Sequence, residues 1–136
     1  MHITNIRYRD LVGTMEFPGV FWEERLARPI DVYPEFRIQG PTYLQQIKEG
    51  QYRMRAVFVQ VETDEGIVGV AGPVGRDVGR IIMSELEDLL LDRDPLAVEY
   101  LWDIMYRSAV HGRKGSTMMA ISAIDCALWD IRGKWA

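Results

Sequence analysis

MAISAIDCALWDIRGKWA, Met119–Ala136, is the stretch that decides the fold. Ala120, Ala123, Ile124, Ala127, Leu128 and Ile131 recur at offsets 0, 3, 4, 7, 8 and 11. That spacing is one apolar stripe of a long amphipathic helix. Small residues dominate the stripe, so a neighbouring element must approach it closely. Gly133 offers a stop signal near the helix end. Cys126, alone of its kind in the chain, sits among apolar neighbours. It cannot form an internal disulfide, and a buried, inert thiol is expected.

Working back from this helix, the loop HGRKGS, His111–Ser116, leads into it, with Ser116 or Thr117 as the expected cap. Asp94-Pro95 predicts another helix start, an N-cap followed by proline at the first helical position. Val98, Leu101, Trp102 and Met105 supply its apolar face. A further stripe, Val78, Ile81, Ile82, Leu86, Leu89 and Leu90, follows Asp77 as a candidate N-cap. Before the helices stands a hairpin. RAVFVQVET, Arg55–Thr63, puts Val57, Val59 and Val61 on one face. Asp64-Glu65-Gly66 makes the turn, and Ile67–Ala71 returns, ending at Gly72-Pro73. HITNIRYRDLV, residues 2–12, is β-branched and aromatic enough for a strand. The order predicts an α+β fold, a small three-stranded antiparallel sheet followed by a three-helix bundle.

Between the first strand and the hairpin, residues of about 13–53 form a long irregular zone. Gly13, Pro18, Gly19, Pro29, Pro34, Gly40, Pro41 and Gly50 punctuate it, which breaks helices and central strands. Yet Phe17, Phe21, Trp22, Tyr33, Phe36, Tyr43 and Tyr52 make it too aromatic for a disordered linker. Long ordered loops in compact domains are uncommon and usually functional.

The 136 residues fit one domain, 48% hydrophobic and 26% charged. A net charge of −4 argues against nucleic acid, which wants a basic face. No apolar run is long enough for a transmembrane helix, and the charged, β-like N-terminus is not expected to be a signal peptide. These properties fit the cytoplasm.

Little catalytic chemistry is visible. Zinc needs clustered Cys and His, whereas His2 and His111 are far apart and Cys126 is alone. Asp88, Asp92 and Asp94 lie at a helix end and its exit, where a solvated acidic surface is expected rather than a magnesium site. There is no Gly-x-Ser-x-Gly elbow, and Ser84, Ser108, Ser116 and Ser122 fall in helices or at caps. GPVGRDVG, Gly72–Gly79, lacks the lysine and hydroxyl of a phosphate loop and reads as turn chemistry. HGRKGS precedes a helix N-terminus, where Arg113 and Lys114 would favour an anion, although a plain basic loop suffices. The best candidates lie in the long zone. Arg25, Arg28 and Arg37, among Trp22, Tyr33 and Phe36, offer guanidinium forks for a carboxylate and aromatic faces to shield a polyol. The competing expectation is that these aromatics only fasten the loop to the body. No pair of groups is poised as acid and base.

ISAIDCALWDIRGK, Ile121–Lys134, resembles the end of the N-terminal capping domain of the enolase superfamily, in its mandelate racemase and muconate lactonizing enzyme group. VFVQVETDEGIVGVAGP, Val57–Pro73, resembles that domain's hairpin, and DPLAVEYLWDIMYR, Asp94–Arg107, its second helix. WEERLARPIDVYPEFR, Trp22–Arg37, is similar to acid-sugar dehydratases, rhamnonate dehydratase-like ones in particular, although Phe21 stands where relatives often carry a polar residue.

The resemblance implies that residues 1–136 are a capping and substrate-specificity domain, with the loop at about 13–53 closing over a catalytic barrel. Family enzymes remove the proton α to a carboxylate and stabilise the enediolate on magnesium, using a Lys or His base. The implied reaction is sugar-acid dehydration, with racemisation, epimerisation or cycloisomerisation as alternatives, or sugar-acid binding without turnover. Barrels need about 250 residues. The catalytic barrel is absent from this chain, so no catalytic or metal residue carries over and no cofactor is expected on it. Trp22, Arg25, Arg28, Tyr33 and Arg37 are the implied substrate contacts. The chain alone is expected to be inactive, and its last helix to keep a bare apolar face that docks on a barrel or on another copy.

Overall fold

A computed structural model describes residues 1–19, 29–37 and 44–136. They fall into two compact units, Met1–Leu11 with Ala56–Ala136, and Val12–Arg55. The strands are β1 (Ile3–Glu16), β2 (Gln45–Lys48), β3 (Gln51–Thr63) and β4 (Val68–Val74). The helices are α1 (Arg76–Ile81), α2 (Glu87–Leu90), α3 (Val98–Ser108) and α4 (Gly115–Trp135). A π turn, Ile82–Leu86, joins α1 to α2 without a break, so 76–90 is one continuous helix and the bundle has three. The fold is α+β, a small antiparallel sheet and three helices, as the order of elements predicts.

β3 is the hub of the sheet. It pairs with β1, antiparallel with β2 through Gln45↔Arg53 and Gln46↔Tyr52, and antiparallel with β4 from Glu62↔Val68 to Val57↔Val74. The hairpin is as expected, with Gly66 at φ 79° in its turn. Val57, Val59 and Val61 all point into the core. The strand count is corrected from three to four among the described residues. β2 lies inside the zone read as irregular because QQIK is exposed at every position and so carries no apolar alternation. Gly50, at φ 71°, turns β2 into β3. The same exposure hides the far end of β1, which runs to Glu16 rather than stopping near residue 12.

The core of the first unit is built from Ile3 and Ile6 of β1, the valines of β3, and one column from each helix. In α4 that column is the predicted stripe, all of it buried, joined by Ile121. In 76–90 the fully buried residues are Val78, Ile82, Leu86 and Leu90, while Ile81 and Leu89 are only half-buried. A spacing of four drifts about 40° per step around a straight α-helix. The wider π turn absorbs this drift and keeps all four on one face.

Four helix-boundary expectations need correction. Gly75, not Asp77, caps α1, and Asp77 sits in the first turn. Lys114 caps α4, and Ser116 instead donates its hydroxyl to Asp77 Oδ2 at 3.2 Å, tying the two helix starts together. Asp94 makes a turn ahead of α3, its Oδ1 accepting the Leu96 N–H at 2.9 Å and its carbonyl the Ala97 N–H at 3.2 Å. Gly133 does not end α4, which continues to Trp135. Its α-carbon faces open space, so nothing is gained by stopping there.

β4 and α4 lie in direct backbone contact. A Cβ on Gly69 would stand 2.1 Å from the Ala127 carbonyl oxygen and 2.7 Å from Ile131 Cγ1. On either side of Gly69, α4 reaches the strand's backbone. Asp130 Oδ2 accepts the Val70 N–H at 2.8 Å, and Lys134 Nζ donates to the Val68 carbonyl at 2.7 Å and to Asp130 Oδ2 at 2.6 Å. Together they supply the acceptor and donor that another strand would. The Lys134 hydrogen bond, with help from the Val70 N–H, holds the Asp130 carboxyl below its ordinary 3.8. A depressed carboxyl stabilises the fold above its unfolded pKa and loses that contribution as pH falls. Asp130→Asn is therefore expected to lower stability at pH 7 by less than about 1 kcal/mol, the pair being partly solvated. The gap from the parent protein should close as acid protonates Asp130. Urea titrations at pH 7 and pH 3 check this, and a gap as large at pH 3 as at pH 7 would refute it.

Candidate functional site

Two regions carry chemistry. In the second unit, 3-10 turns Pro29–Val32 and Pro34–Phe36 follow one another, each opened by a proline whose fixed φ suits the start of a turn. Their bonds are Tyr33 N–H to the Ile30 carbonyl and Phe36 N–H to the Tyr33 carbonyl, both 3.1 Å. Arg37 Nε donates to the carbonyl of Asp31 at 3.0 Å, so one edge of its guanidinium is fixed to the turn. The rings of Tyr33 and Phe36 meet edge to face, centroids 6.5 Å apart. Both rings are about half exposed, as are Ile30 and Val32 or more so.

Of the substrate contacts expected from sequence, Tyr33 and Arg37 are brought onto one short segment. Trp22, Arg25 and Arg28 lie outside the described residues. Tyr33 and Phe36 are not buried as fastening aromatics would be. Tyr52 of the same unit is instead buried, 3% exposed, and its hydroxyl donates to the Gly19 carbonyl at 2.6 Å.

The second region, within the first unit, is a groove of about 1020 Å³. Val70 to Gly75 of β4 and its exit form one wall, and Met118, Met119, Ser122, Ala123 and Cys126 of α4 the other, with Arg113, Lys114 and Gly115 at the end. Cys126 is exposed here, correcting the expectation of a buried thiol. The reason is angular. At offset 6 from Ala120, Cys126 falls beside the buried stripe rather than on it, and its wall stands clear of β4. Arg113 is held by stacking, its guanidinium 4.8 Å from the Tyr106 ring, which lies on Trp102 with centroids 4.7 Å apart. Sequence spacing flags Arg113 and Lys114 but gives no sign of the groove, because its two walls are some 45 residues apart in the chain.

Among the described residues, neither region holds an acid–base pair. Asp125, on α4, has its carboxyl raised by burial, and among the described residues it has no hydrogen-bond partner. Asp88, Asp92 and Asp94 are exposed. Among the described residues no three His, Cys, Asp or Glu side chains converge to hold a metal. No helix of the described residues is long and apolar enough to cross a membrane.

A small antiparallel sheet with three helices closed over it, ending in a helix that touches β4 backbone to backbone, is the architecture of an enolase-superfamily N-terminal domain. The structure of an enolase-superfamily member from Polaromonas sp. JS666 matches 99% of this chain and 31% of its own, at TM-score 0.62 and 27% identity. A racemase from Streptomyces coelicolor A3(2) with bound magnesium matches 60% of this chain and 26% of its own, at TM-score 0.54 and 30% identity. The D-galactonate dehydratase of Klebsiella pneumoniae (strain 342) is 42% identical over 83 residues, 59% of this chain and 22% of the dehydratase. The match thus spans under a third of each relative's length. Residues 37–136 match the mandelate racemase / muconate lactonizing enzyme N-terminal domain, and the chain belongs to that family.

Proposed function

We propose that residues 1–136 are the capping and substrate-specificity domain of a magnesium-dependent enzyme that removes the proton α to a carboxylate, and that its reaction is sugar-acid dehydration in the cytoplasm. The observation that carries this is the family match across 37–136, supported by the 42% identity with a D-galactonate dehydratase. In this reading the base and the metal ligands belong to the portion of the relatives that this chain does not span. Tyr33 and Arg37, with Trp22, Arg25 and Arg28, then form a cover over the substrate. A guanidinium matches a carboxylate through paired hydrogen bonds, and exposed rings exclude water from the carbon face of a sugar. The racemase relative at 30% identity supports a second outcome, racemisation or another isomerisation of the same kind of acid.

The test joins residues 1–136 to the remainder of D-galactonate dehydratase. The chimera is expected to form 2-keto acid from a sugar acid only with magnesium present. Arg37→Ala should raise KM more than it lowers kcat, as loss of a binding contact does. A folded, magnesium-binding chimera that turns over no acid in a panel of aldonic acids would overturn the reading. The chain alone should show no turnover, since missing one positioned base already costs about 10²–10⁴ in rate. Saturable heat from a sugar acid titrated into the chain alone, without product, would instead mark a binding module.

A further inference from the structure

We draw no further inference here: the strongest candidate, the apolar groove between the exit of β4 and the start of α4, carries none because nothing in the structure shows what covers it.

Discussion

Gly69→Ala is expected to destabilise the fold by about 3 kcal/mol or more, near the upper end for adding a single methyl group. The added carbon would lie 2.1 Å from the carbonyl oxygen of Ala127, a backbone atom inside a helix that cannot swing aside. Relief requires α4 to lift from β4. That movement also pulls Asp130 and Lys134 off the Val70 N–H and the Val68 carbonyl. The expected result is a lower urea midpoint together with loss of hydrogen-exchange protection at the Val70 amide. Gly66→Ala is the control. Gly66 has open space around its α-carbon but a φ of 79°, so alanine there costs about 1 kcal/mol from backbone strain alone. If the two variants unfold at the same urea concentration, close packing of helix on strand is not what Gly69 provides.

Leu128→Ala should cost about 2–5 kcal/mol, the range for emptying a fully buried leucine site. Leu128 is wholly buried in the stripe of α4, a helix that packs against β4, α1 and α3. A domain of ordinary stability has only about 5–15 kcal/mol in all, so the loss is a large fraction of the whole. The neighbouring Trp129→Ala is expected to cost less than about 1 kcal/mol although it removes far more atoms. Trp129 is half exposed, and its recorded partner is the Arg132 guanidinium, 5.0 Å from the ring. Urea midpoints measured on both variants decide the matter, and a Trp129 cost equal to that of Leu128 would refute the packing described for α4.

Where an element buries one face, its sequence announced it. The α4 stripe and the β3 valines show their periods because a core selects apolar residues at those offsets. β2 and the outer part of β1 bury no such face, so nothing in QQIK or in Leu11–Glu16 sets them apart from loop. The caps failed for a different reason. By spacing alone Asp77 and Ser116 each suit the start of their own helix, but they bond one another across 39 positions. Local capping rules cannot see that competition. The candidate site is legible only in part. Arginine and aromatic content drew attention to Tyr33 and Arg37, whereas the Asp31 carbonyl that fixes Arg37 has no compositional signature. The groove was invisible because it depends on where α4 parts from β4.

The π turn at Ile82–Leu86 makes residue number, as well as residue type, part of how this helix is specified. Val78 and Leu90 belong to one buried column only because an extra residue is taken up between them. Relatives that keep the column with a regular helix should be one position shorter here, and aligning them without a gap would set solvent-facing residues against core ones. Length variation, ordinarily confined to loops, thus has a permitted place inside a secondary-structure element of this chain.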